Sequence, residues 1–144
     1  ANNPTTITAL VDLIRDSQSE YTRWQAAESL GKIAANNPTT ITALVDLIRD
    51  SQSEDTRRQA AESLGKIAAN NSTALTALEN LIRDSQDEYT RWQAAESLGK
   101  IDANNPTAIT ALVDLIRDSQ SEYTPRQAVS SLGKCDHCFS GVNS

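Results

Sequence analysis

Apolar residues recur along the chain with helical spacing. In NNPTTITALVDLIRDS, Ile7, Leu10, Val11 and Ile14 fall at i, i+3, i+4 and i+7, which puts them on one face of a helix. Asn3 and Pro4 supply a cap and a first-turn proline, since Pro there gives up only an N–H that has no intrahelical partner. After the polar DSQS, the segment EYTRWQAAESLGKIAA carries a second stripe of the same period in Ala26, Leu30, Ile33 and Ala34. The pattern predicts two helices, A and B, joined by a short turn. Two starts are open for helix B: Ser19 as its cap, or Thr22 with Gln25 closing a T-x-x-Q capping box. In the last copy Pro125 replaces Arg23, Arg57 and Arg91 and favours the later start, because proline is tolerated at the first helical position and not deeper.

The A–B phrase occurs four times with a period of 34 residues. Asn2, Asn36, Asn70 and Asn104 open equivalent units, and Leu30, Leu64, Leu98 and Leu132 mark one late position in each. The units span 1–34, 35–68, 69–102 and 103–136 as a single domain, with 137–144 as a tail. A single helix pair cannot hide two apolar stripes, so successive pairs must stack. The expected fold is all-α, a right-handed α-solenoid of four helix-turn-helix repeats. Gly31, Gly65, Gly99 and Gly133 sit inside helix B at a cost of about 1 kcal/mol each relative to Ala, and close approach by a neighbouring helix is the expected compensation. Glu79 replaces Val11 and Val45, which marks that position as the edge of the buried stripe. Units one and two differ only at Tyr21/Asp55 and Trp24/Arg58, so the leading face of unit one repeats residues that unit two buries. A solenoid end of that kind is adhesive. It implies either a longer array or self-association through the ends.

The segment YTRWQAAESLGKI resembles the second helix of HEAT-like repeats, roughly V-R-x-x-A-A-x-A-L-G-x-I, with Thr22, Arg23, Ala26, Ala27, Ser29, Leu30, Gly31 and Ile33 in those places. It is most similar to the short bacterial repeats also found in phycobilisome lyases. The resemblance covers all four units; Thr for Val, Ser29 for Ala, and Pro125 and Cys135 in the last unit depart from it. It implies that helix A lines the convex side and helix B the concave side. The tetratricopeptide pattern shares the period, but its proline would fall on Asp55 and its aromatic positions are Ala or Leu here.

Charge narrows the choice of partner. With a net charge of -6, an electrostatic grip on nucleic acid or anionic lipid is not expected. No apolar run reaches the ~18 residues of a membrane span, and ANNPTTITAL lacks the regions of a secretory signal, so a soluble, cytoplasmic setting is the expectation.

Candidate chemistry is sparse, and neither catalytic residues nor a cofactor or metal is expected. Glu28 and Lys32 recur at i and i+4 as solvated pairs. Cys135 and Cys138 form a C-x-x-C around Asp136 and His137, but no second cluster completes a zinc site, and Cys135 falls on the core position of Ile33, Ile67 and Ile101. The informative positions are those that vary within a constant frame. Trp24, Arg58, Trp92 and Arg126 share one place, and Tyr21, Asp55, Tyr89 and Tyr123 share another. On stacked helices these form a ladder of the residue types enriched at binding hot spots. Gln25, Gln59 and Gln93 add groups that could meet a peptide backbone. Arg58 stacked on the tryptophans between repeats is the plain structural alternative. The expected function is a non-catalytic scaffold using the helix B surface, with a protein or peptide partner of some basic character. The family resemblance implies a second reading, bilin handling as in the lyases; an engineered or structural spacer array is a third.

Overall fold

Short side chains at the turns fix where each helix begins. The computed structural model describes residues 4–118, which form α1 (Pro4–Asp16), α2 (Glu20–Ile33), α3 (Pro38–Asp50), α4 (Glu54–Ile67), α5 (Ser72–Asp84), α6 (Glu88–Ile101) and α7 (Pro106–Asp118). Odd-numbered helices are the A helices and even-numbered ones the B helices. Asn37 Oδ1 accepts from the backbone N–H of Thr40 at 2.9 Å, and Asn71 and Asn105 repeat the contact for α5 and α7. Helix B takes the earlier of its two starts: Ser19, Ser53 and Asp87 accept from the N–H of Thr22, Thr56 and Thr90, so Thr22 lies in the first turn and is not a cap. Pro125 lies outside the described residues.

The two stripes become the core. Ile7, Val11 and Ile14 of α1 are buried with Ala26, Leu30 and Ala34 of the B stripe, while Leu10 and Ile33 are partly covered. The Val11 position is core in units one and two and only partly covered in units three and four, where Glu79 and Val113 occupy it. Val11 and Val45 are both buried in the core; Glu79 is tolerated there because it stays half-exposed, where its carboxylate accepts from Asn105 Nδ2 at 3.4 Å.

Consecutive B helices pack more extensively against one another than consecutive A helices do. Small residues permit the close side. A Cβ placed on Gly31 would stand 2.7 Å from Oγ and 2.9 Å from Cβ of Ser63, and one on Gly65 would stand 2.9 Å from Cβ of Ser97. Ser63 uses that proximity to donate to the carbonyl of Ala27 at 2.7 Å. At Gly31 the helix-propensity cost is thus exchanged for backbone approach and a buried inter-repeat hydrogen bond, and Gly65 gains the same close approach, whereas a Cβ on Gly99 would meet nothing within 4 Å among the described residues and Gly133 lies outside them.

A second link crosses the repeats at the far end of helix B. Asn36 has φ 55°, a left-handed conformation that Asn tolerates better than other residues with a side chain. In that pose its N–H donates to the carbonyl of Ile67 at 2.8 Å, and its Oδ1 accepts from the N–H of Ala69 at 3.1 Å.

The leading face behaves as its sequence implies. Helices α1 and α3 are identical in sequence, yet Ala9 and Leu13 are exposed where Ala43 and Leu47 are buried. Among the described residues no helix is long and apolar enough to cross a membrane.

Candidate binding groove on the helix B face

Each B cap holds the following turn in the same phase, so residues one and four places into the helix, such as Tyr21 and Trp24, share a face. Repeated across α2, α4 and α6, those faces line an open groove of about 630 Å³. Tyr21, Trp24, Arg58, Tyr89 and Trp92 of the expected ladder all border it. Gln59 and Gln93 also line it, but their amide nitrogens are turned to Ser63 Oγ at 3.4 Å and Ser97 Oγ at 3.2 Å, one helical turn on. Gln25 is exposed outside the lining and donates to Tyr21 Oη at 2.8 Å. Tyr123 and Arg126, like Cys135 and Cys138, lie outside the described residues.

In units one to three the two variable positions change together, and each combination makes its own contact. In unit one the rings of Tyr21 and Trp24 stack with centroids 6.4 Å apart and planes 11° from parallel. In unit two the same i, i+3 places hold Asp55 and Arg58 as an ion pair. The guanidinium of Arg58 then lies 5.8 Å from the ring centroid of Tyr89 in the next unit, and 3.8 Å from Asp87. Arg58 therefore stacks between repeats on a tyrosine rather than on a tryptophan, with Asp87 at the start of α6 close by.

Carboxylates were the less legible part of the lining. Glu20 and Glu62 border the groove together with Asp55. Glu20 pairs with Arg23 at 2.8 Å and also accepts from Ser51 Oγ of the next unit at 3.0 Å, a contact between residues too far apart in sequence for periodicity to reveal. Glu62 belongs to the recurrent Glu–Lys register and pairs with Lys66 at 3.2 Å. Trp92 is half-buried against the core, and its indole nitrogen is buried without a hydrogen-bond partner among the described residues. A second hollow, of about 740 Å³, lies on the opposite side between α3 and α5, bordered by residues such as Ile48, Arg49, Thr76 and Asn80, and it contains none of the ladder.

Stacked helix pairs of one period, with small residues between the B helices, match the family model described as HEAT repeats over residues 1–65 and 41–133. The chain belongs to the HEAT repeat family. Among solved structures, the HEAT-repeat chain is similar to the complex of CpcE and CpcF of phycocyanin lyase from Nostoc sp. PCC7120, with a TM-score of 0.66 and 21% identity, over 90% of this chain and 91% of that chain. At that identity the likeness establishes a common α-solenoid fold. No curated protein matches the sequence.

Proposed function

We propose that this HEAT-repeat chain is a non-catalytic scaffold that binds a protein or peptide segment in the groove of its B helices. One observation carries the reading: the positions that vary between otherwise copied units converge on the groove, and they bring two aromatic pairs and an arginine to it. Aromatic and Arg side chains combine large contact area with directed polar groups, which suits recognition. The test compares retention of a partner by the wild-type chain and by a Trp24→Ala/Trp92→Phe variant. Phe keeps most of the Trp92 packing, and both proteins are first matched in helicity and melting temperature. A partner that binds the purified wild type and loses at least tenfold in affinity for the variant supports the groove; equal affinity sinks it.

Two further readings have specific support. The structural neighbour is a phycocyanin lyase complex, which favours bilin handling as the alternative. A shifted visible spectrum on mixing with a free bilin would support it, and an unchanged spectrum would count against it. The exposed Leu13 on the leading face of α1 favours self-association with a second copy. Sedimentation that becomes monomeric in Leu13→Lys supports this, and a wild type that is already monomeric at high concentration rejects it.

A further inference from the structure

Resting on the groove reading, we propose that the occupant is an extended, basic segment whose two anchoring cationic side chains stand six residues apart. The charge of the wall sets the sign. Glu20, Asp55 and Glu62 face Arg58 as the sole cationic lining residue among those described, and Arg58 is already held by Asp55 and lies close to Asp87. Arg23 and Lys66, which pair with Glu20 and Glu62, stand outside the lining, so the wall itself carries three carboxylates against one cation and complements a basic segment rather than an acidic one.

The mode of contact is displayed within the protein. Arg58 lies over the ring of Tyr89, so a guanidinium already occupies one aromatic face of this ladder. Tyr21 and Trp24, stacked on each other and bordering the groove, form a corresponding platform in unit one. A ligand cation bound there reproduces intermolecularly what Arg58 does within the chain.

The spacing follows from the stack. The aromatic pairs Tyr21/Trp24 and Tyr89/Trp92 belong to α2 and α6, with α4 and its charged pair between them. Helices in contact are ~8–10 Å apart, so the two platforms are separated by roughly 16–20 Å. Extended chain rises ~3.3 Å per residue, which makes this about five to six residues, and of these only the even separation, six, returns both side chains to the same side of a strand. The polyproline II conformation, at three residues per turn, also aligns residues six apart. Charged Asp55 and Arg58 lie under the middle of the segment and contact its backbone or polar side chains.

Trp24 and Trp92 are the two tryptophans of the chain, one at each platform, so their indole N–H signals report the two ends separately in a 15N-correlated NMR titration. The probes are three Gly/Ser nonapeptides: one with Arg at positions two and eight, one with Arg at positions two and five, and one with Glu at positions two and eight. The first is expected to shift both indole signals, to bind at least fivefold more tightly than the second, and to weaken with added salt; the Glu peptide shifts neither. Arg58→Gln, which removes the competing cation and frees Asp55, should tighten the first peptide roughly threefold, in keeping with an exposed charge contact. If the Glu peptide binds as well as the Arg peptide, the basic occupant is wrong while the groove still binds peptide. Equal binding of the two Arg peptides overturns the six-residue spacing. If no peptide shifts either indole, the proposal falls, and the groove reading is judged separately by the partner retained through Trp24 and Trp92.

Discussion

Leu13 and Leu47 hold the same place in two helices of identical sequence, yet Leu13 is 43% exposed and Leu47 only 1%. The difference is the neighbour: α3 has a preceding A helix packed on it, and α1 begins the described stack. Truncating Leu47 to Ala should therefore cost about 2–5 kcal/mol through lost burial and a residual cavity. The same change at Leu13 should cost clearly less, about 1 kcal/mol, because nearly half of the residue is already exposed to water. Urea denaturation of the two variants, followed by circular dichroism, measures both; equal losses would mean that the leading face is covered in solution.

Gly31→Ala tests the close side of the stack. Inside a free helix the change would stabilise by about 1 kcal/mol. Here the new methyl would be driven into Oγ and Cβ of Ser63, with the Ser63 Cα only 3.1 Å away, so the neighbour cannot simply rotate aside. A net loss of about 1–3 kcal/mol is expected, as for other overpacked sites. A raised melting temperature would show that α2 and α4 separate more readily than this contact implies.

Thr40 is wholly buried, and its hydroxyl has no hydrogen-bond partner among the described residues. Units three and four place Ala74 and Ala108 in the same register, both buried. Removing an unsatisfied buried hydroxyl recovers part of its desolvation cost, of order 1–3 kcal/mol, and Ala is also the better helix former. Thr40→Ala should leave stability unchanged or raise it by about 1 kcal/mol, read as a shift in the denaturation midpoint. A clear loss would reveal a partner for the hydroxyl in solution.

Asn36 separates backbone conformation from side-chain bonding. Asn36→Gly keeps the left-handed backbone easily and loses only the acceptor for Ala69 N–H, at a cost of about 1 kcal/mol. Asn36→Ala loses the acceptor and also strains the backbone, adding about 1 kcal/mol. Ala is thus expected to be the worse replacement, in reverse of the usual helical preference. Hydrogen exchange at Ala69 should quicken in both variants.

Legibility followed range. The helix pair and the asparagine caps of the A helices could be read because each depends on residues within about one turn of one another, and the period because the same phrase recurs along the chain. The start of helix B stayed ambiguous because Ser19 and Thr22 both carry capping chemistry, and local spacing does not rank them. For the groove, the variable Tyr, Trp and Arg positions were visible as exceptions inside a repeat, while Glu20 was hidden because its bond to Ser51 joins one unit to the next. Glu79 misled for units one and two: a charge there suggested an edge throughout, when Val11 and Val45 are core and a half-exposed pose and Asn105 accommodate the charge in unit three.

By itself the sequence determined a helical repeat whose copies must stack, since each presents more apolar surface than one pair can bury. Tertiary structure decided which copy of an identical residue is core and which is surface, as with Leu13 and Leu47. It also decided that Ser63 fills the space beside Gly31 and that Arg58 reaches Tyr89 rather than a tryptophan. The physical reason is common to all three: local sequence fixes what a side chain can do, and a neighbour supplied by another repeat fixes which of those things it does.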